Sequence, residues 1–300
     1  MALVGMLVIS TDSLITRAAD AEGWDVAFWY GAFSAPAMAL YLTISEDDGP
    51  IAAVRRSGWL VLVSGALQTI STTAFILAIK NTTVANVVVI IAAAPLITAV
   101  LARVLLGERT QRRTWTGIAL AMIGILIVVS GSVGGGGFTG DLLAVVAITA
   151  FGLNLTIWRR MPEMSRILVL AVAGVITATV AATQAQILGH PTKTYLLIGL
   201  MGLALGPLGR VSLASATRYL TAAEVSLFTP VETIAASLWA WLFFSEVPGT
   251  RTWVGGAAII AALIYGIVMA PAPEPITTPT PTPSLGDEDE SGDGVIERRA

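Results

Sequence analysis

The chain of 300 residues contains no cysteine and a single histidine, His190. The first absence removes disulfides and thiolate metal sites. The second removes histidine clusters, and the sequence offers no nucleophile with a histidine partner and no acid pair at a plausible spacing, so neither a catalytic constellation nor a cofactor or metal site is expected. Charge is scarce as well: 12% of residues are charged against 55% hydrophobic, with a mean hydropathy of +0.79. A soluble domain needs more polar surface than this. No basic footprint for nucleic acid is present. The net charge of −3 is unevenly placed, because residues 271–300 hold seven acids and two arginines and leave +2 for the remainder. What the chain has in abundance is long apolar runs, which read as a polytopic protein in contact with a lipid bilayer.

Ten runs are expected to span, at about 2–16, 27–44, 57–79, 83–106, 115–131, 141–158, 167–187, 195–217, 222–244 and 252–270. Most approach the roughly 20 residues that a helix rising 1.5 Å per residue needs to cross a core of about 30 Å. The first is short, and Met1 sits almost inside it, so either that span is thin or the natural start lies upstream. It lacks the basic region and small-residue cleavage site of a secretory signal.

Within this pattern a unit recurs. Over positions 78–117 against 216–255, at an offset of 138, ten of forty residues are identical, among them Glu108/Glu246, Arg113/Arg251, Thr114/Thr252, Trp115/Trp253 and Gly117/Gly255. Two repeats of five spans each enter the membrane in opposite senses, which is the construction of many secondary transporters. The expected fold is therefore all-α, with ten transmembrane helices as two inverted five-helix repeats. The expected boundaries are 1–137 for the first repeat with its glycine-rich linker, 138–270 for the second, and 271–300 for a disordered Pro/Thr-rich acidic tail.

Arginine and lysine placement sets the orientation. With the N-terminus inside, inner loops and tail carry Arg55, Arg56, Arg109, Arg112, Arg113, Arg159, Arg160, Arg166, Arg218, Arg298 and Arg299, and outer loops carry Arg17, Lys80, Lys193 and Arg251. Both termini are expected in the cytoplasm, and a bacterial cytoplasmic membrane is the expected location.

The stretch from Ala78 to Ala85, then Ala94-Pro95, Leu105-Leu-Gly-Glu108 and Arg113-Thr-Trp115, resembles the EamA-type drug/metabolite transporter superfamily. So does Ala223 to Glu232 followed by Ser245-Glu246. The resemblance covers residues 1–270 and implies ten helices, inverted repeats and transport of a small-molecule substrate by exchange or ion coupling. One departure stands out. Such sequences often carry Arg early in the second span after an aromatic pair, whereas here Phe28 and Trp29 precede Tyr30. This lowers the expectation of an anionic substrate and makes Tyr30 a cavity candidate.

A charge at a helix centre costs roughly 2.5 to 3.5 kcal/mol on insertion scales, so intramembrane ionisable groups need a partner or a wet cavity. Glu232, two residues after Pro230 in the ninth span, is the candidate for proton or cation coupling; the competing reading is a neutral acid that glues helices together. Asp12 and its approximate counterpart Asn154 each precede an arginine by five residues, which suits opposite walls of a cavity, while a carboxylate snorkelling to water is the alternative for Asp12. In the third span Gln68, Thr69, Ser71, Thr72 and Thr73 make a polar middle; at offset 138 Gln68 and Thr69 fall on Gly206 and Pro207, followed by Arg210. A polar stretch opposite an interrupted helix points to a binding site. Asp12, Tyr30, Gln68, Thr72, Asn154, Arg210 and Trp239 are thus the cavity candidates. Trp24, Trp59, Trp115, Trp158 and Trp253 fall at span ends as interfacial anchors, and Glu108 and Glu246 are expected to organise turns. Small residues in spans four and ten suit either intramolecular packing or a homodimer. A lipid-carrier flippase or a non-transporting membrane partner is the remaining functional alternative.

Overall fold

A computed structural model describes residues 2–45, 49–107, 112–132, 136–216 and 229–265. Their regular structure is all helical, without a strand among the described residues. In chain order the helices are α1 (Ala2–Ala18), α2 (Gly23–Ser45), α3 (Gly49–Ser57), α4 (Leu60–Asn81), α5 (Val84–Ile91), α6 (Ala94–Leu106), α7 (Arg112–Ser132), α8 (Phe138–Arg160), α9 (Arg166–Ala181), α10 (Thr192–Leu200), α11 (Gly206–Ala216), α12 (Thr229–Phe244) and α13 (Thr250–Leu263). The expected acidic tail, Glu108, and residues 133–135 of the glycine linker lie outside the described residues.

Among the described residues, five stretches are long and apolar enough to cross a membrane: Gly23–Ser45, Leu60–Asn81, Val84–Leu105, Phe138–Trp158 and Thr192–Ser212. Trp115–Gly131, Arg166–Ala181 and Glu232–Phe244 are apolar but shorter. The bundle has an apolar core, but it also buries an unusual number of polar groups while large apolar side chains face outward. Leu40, Ile44, Leu62, Val104, Leu126, Leu196, Trp241 and Phe243 face outward, whereas Ser64, Gln68, Thr72, Asn154, Thr156 and Thr177 are buried. Apolar surroundings explain both halves of that pattern, because they solvate leucine and force polar groups to find one another.

The helices start and stop for local reasons. Thr83 Oγ1 accepts from Asn86 N at 3.3 Å at the start of α5, and Ser165 Oγ accepts from Leu168 N at 3.3 Å at the start of α9. Gly107 ends α6 at φ 68°, where a side chain would clash. Two expected continuous spans are broken. Between α5 and α6 the chain loosens at Ala92 and Ala93 because Pro95 has no N–H to return to the preceding turn. Between α10 and α11, Met201–Leu205 forms a π-helical turn, with Gly206 N bonding to Met201 O just ahead of Pro207. Helix α3, a short amphipathic segment with Arg55 and Arg56, was not among the expected elements.

Helices holding equivalent places in the two halves meet each other directly. A Cβ on Gly31 of α2 would lie 2.6 Å from Ala178 N and 2.7 Å from Gly174 O of α9, and one on Gly174 would lie 2.8 Å from Ala35 N. As α2 advances from 31 to 35, its neighbour recedes from 178 to 174, so the crossing is antiparallel. The same holds for α7 and α13: Gly124 abuts Ile259 and Gly255, and Gly255 abuts Val128. Both crossings depend on bare backbone at the contact.

Candidate functional site

Asp12 lies on α1 and is 3% exposed. Its Oδ2 stands 3.1 Å from Arg210 Nη1 on α11. The guanidinium also lies over the Tyr30 ring of α2, 5.3 Å from its centroid. Glu232, half-buried in the first turn of α12, lies within electrostatic reach of both Asp12 and Arg210. Trp239, two turns further along α12, donates from Nε1 to Ser10 Oγ at 3.1 Å, two residues before Asp12. Four helices thus converge on one charged cluster, and five sequence candidates meet there: Asp12, Tyr30, Arg210, Glu232 and Trp239. Trp241, by contrast, is 56% exposed on the outer surface of α12.

Local structure makes room for the arginine. A Cβ at Gly206 would fall 2.9 Å from Arg210 Nη1 and 3.3 Å from Tyr30 Oη. The π-turn before Gly206 shifts the angular register of α11 against α10, an arrangement common where a helix must present a functional side chain.

The other three candidates form a separate, uncharged cluster. Asn154 on α8 donates from Nδ2 to Gln68 Oε1 at 3.0 Å, and Gln68 Nε2 donates to Thr72 Oγ1 at 3.2 Å on α4. Asn154 Oδ1 accepts from Ser64 Oγ, which in turn accepts from Trp158 Nε1 at 2.8 Å. Trp158 is thereby turned into the bundle, with Arg166 5.7 Å from its ring centroid, rather than standing only as an interfacial anchor. Thr69 bridges α4 to α9, donating to Ala173 O at 3.1 Å and accepting from Thr177 at 3.2 Å.

The two clusters are related. Asn154 follows Asp12 by 142 residues, and Arg210 follows Gln68 by 142. Each pair joins the first helix of one half to the third apolar stretch of the other. The offset of 138 placed Gln68 opposite Gly206; the side-chain contacts place it opposite Arg210, one helical turn further on. Ser10, Ser64 and Gly206 were not singled out as site residues, although Ser64 precedes Gln68 by one turn and shares its face.

At one end of the bundle Arg17 Nη2 pairs with Glu246 Oε1 at 2.8 Å, and Arg17 Nη1 donates to Ile79 O at 3.1 Å. Glu246 Oε2 also accepts from Val84 N at 3.0 Å, closing the start of α5. Nearby Asn86 Nδ2 donates to both oxygens of buried Asp141, at 3.2 and 3.3 Å, and accepts from Thr252 Oγ1. The same end carries a cleft of about 560 Å³ lined by Asp20, Glu22, Asp25, Lys80, Gln186 and His190. Three of its ionisable groups are paired: Asp25 accepts from Gln186 N at 2.6 Å and lies 3.3 Å from His190 Nε2, and Lys80 donates to Ala19 O at 2.7 Å.

The sequence pattern of the EamA-like transporter family matches residues 1–130 and 138–268. The chain belongs to this family. It is an integral membrane protein of a transporter fold, in keeping with its apolar helices and outward-facing leucines. No curated protein matches the chain. A solved structure titled "Crystal structure of protein" is similar in fold, with a TM-score of 0.64 at 15% identity over 91% of this chain and 97% of that one.

Proposed function

We propose that this family member is a secondary transporter, an exporter or exchanger, moving a small polar or amphipathic metabolite by alternating access with Glu232 coupling the movement to protons. In this reading ten helices form two inverted five-helix repeats, at 1–137 and 138–270, with both termini in the cytoplasm and 271–300 as a solvated tail. The antiparallel crossings of α2 with α9 and of α7 with α13 support the inversion.

The observation that carries the reading is the buried Asp12–Arg210 pair with Glu232 in reach. A transporter of this construction binds its solute where the repeats meet, and this cluster joins α1 and α2 of one half to α11 and α12 of the other. Asp12 is in contact with the guanidinium, and Glu232 shares its field without an ion pair to it. A proton arriving on Glu232 leaves Arg210 in the field of Asp12; its departure restores the second negative charge, and that exchange can be tied to which side of the cavity is open. Gln68, Thr72 and Asn154 offer neutral hydrogen-bonding groups on the facing helices. Moving one charge through the membrane field is worth about 2.3 kcal/mol per 100 mV, enough to bias accumulation nearly fifty-fold.

The test uses a solute identified by comparing metabolite pools of cells with and without the gene. In proteoliposomes Glu232→Gln, which keeps size and most hydrogen bonding, is expected to abolish uptake driven by a pH gradient while sparing solute exchange at equal pH. Gradient-driven uptake at the wild-type rate in this variant would reduce Glu232 to a structural role.

A further inference from the structure

Ser10 and Trp239 meet at a separation of 229 residues, and so do Arg17 and Glu246. Equal separations mean that α1 and α12 run side by side in one direction, with Arg17–Glu246 two helical turns beyond Ser10–Trp239 on a single seam. Asp12 lies between those two levels. Past Arg17 the chain continues into Ala19 and Asp20, which line the cleft at that end. Along α1 the charged cluster, the Arg17–Glu246 pair and the cleft therefore follow one another in order.

The backbone aims Glu246 at this place. Ser245 ends α12 at φ 53°, its N donating to Trp241 O at 3.1 Å, and Glu246 N turns back to Ala240 O at 3.3 Å. Glycine is favoured in that left-handed conformation, and Gly107, 138 residues earlier, ends α6 in it. Here a serine bears the strain, and the turn carries the carboxylate across to Arg17 and to Val84 N at the start of α5. Arg17 in turn reaches Ile79 O near the end of α4. One ion pair thus ties four helix ends together, with Arg17 in the first half of the chain and Glu246 in the second. Its strength is modest. The Arg17 side chain is 32% exposed, and a pair that water reaches contributes little, whereas opening the buried Asp12–Arg210 pair strands a charge. Of these two pairs, Arg17–Glu246 is the one that can break and re-form readily.

We propose that the Arg17–Glu246 ion pair is the latch of a gate at this end of the bundle. Made, it separates the Asp12–Arg210 cluster from the cleft lined by Ala19, Asp20 and Lys80; broken, it lets the seam between α1 and α12 part. Lys80 donates to Ala19 O at 2.7 Å and steadies the same end, but that bond joins the ends of α1 and α4 and does not cross the seam. That the gate admits a solute rests on the transport reading; that the pair latches the seam does not.

The test uses the purified full-length protein in micelles, where an introduced thiol is unique because the chain has no cysteine. Ser10→Cys puts that thiol on the seam below the latch, at a position 1% exposed. N-ethylmaleimide is expected to label it slowly, and adding Glu246→Gln or Arg17→Gln is expected to raise the labelling rate at least ten-fold. Glu246→Gln keeps an oxygen for Val84 N, so the start of α5 stays capped. Both substitutions together should give no more than either alone, because each breaks the same pair. Arg251→Gln is the control: Arg251 bonds Ser130 O where α13 meets α7, and its loss should leave the rate unchanged. An unchanged rate in both latch variants would overturn the proposal, as would an equal rise with Arg251→Gln. A second measurement closes the gate instead of opening it. Arg17→Cys/Glu246→Cys, joined by a bifunctional methanethiosulfonate, should lose solute exchange in proteoliposomes and regain it with reductant. Exchange that persists through the link would refute the latch and leave the transport reading standing. Faster labelling of Ser10→Cys in the latch variants of a protein that moves no solute would do the reverse.

Discussion

Arg210 has two carboxylate neighbours, whereas Asp12 has one guanidinium, so the ends of this pair are not interchangeable. Replacing Arg210 with Met leaves Asp12 and Glu232 facing each other without a cation, and breaking a buried pair in this manner costs about 3 to 5 kcal/mol. Asp12→Asn leaves Arg210 within reach of Glu232 and keeps a polar group in place, for a smaller loss of about 1 to 3 kcal/mol. The double variant Asp12→Asn/Arg210→Gln rebuilds the side chains of the Asn154–Gln68 pair. It is expected to be more stable than Arg210→Met alone. Denaturant unfolding of the purified variants, with Arg210→Gln alone added, checks the order, and full additivity of Asp12→Asn and Arg210→Gln would show that the residues do not interact. At this scale the sequence was informative about which residues matter, because ionisable groups in apolar runs stand out. It was silent about partners. Nothing in the spacing of Asp12 and Arg210 pairs them; that follows from helices some 200 positions apart meeting in space, whereas periodicity is read within windows of about 11 to 18 residues. Ser64 and Ser10 escaped notice because a lone serine in a helix more often bonds its own backbone, as Ser13 does to Ser10 O at 2.9 Å.

Among the elements, the apolar runs were legible because the bilayer fixes helix length, and breaks inside them were not. Pro95 and Pro207 flagged weak points, but whether a helix answers proline with a loosened turn, as at Ala92 and Ala93, or with a π-turn, as at Met201–Leu205, depends on neighbours. Helix α3 was read as a loop because nine residues are too few for a clear period. The antiparallel crossings yield a prediction that separates glycines by what they touch. At Gly31 the nearest atoms are backbone of α9, 2.6 and 2.7 Å from a Cβ, so α2 and α9 would have to separate. At Gly256 a Cβ would meet only Val89 side-chain carbons at 3.4 Å. Gly31→Ala should therefore destabilise by about 1 to 3 kcal/mol, the usual cost of overpacking, while Gly256→Ala should be near neutral or stabilising through the better helix propensity of alanine. Unfolding midpoints of the two variants measure this. Equal effects would mean that the crossings are not held by close backbone contact.

For the whole molecule, the sequence echo and the family pattern agree on two halves, and the remaining matter is how they sit across the membrane. The eleven-to-four excess of arginine and lysine predicts that both termini are cytoplasmic. The structure separates the relevant groups: Thr194 at the start of α10 reaches Asp20 O beyond the end of α1, while α3 follows the far end of α2. Lys193 and Arg55 should then face opposite compartments. The natural lack of cysteine makes the test direct, since any introduced thiol is unique in the chain. In intact cells a membrane-impermeant maleimide is expected to label Lys193→Cys and to leave Arg55→Cys and Ser284→Cys untouched until the membrane is opened. Labelling of the Ser284 variant in intact cells would reverse the orientation. Labelling of Lys193 and Arg55 from one side would be more damaging, because two inverted five-helix halves put an odd number of crossings between the compartments of those two residues, and no rotation of the whole protein could restore it.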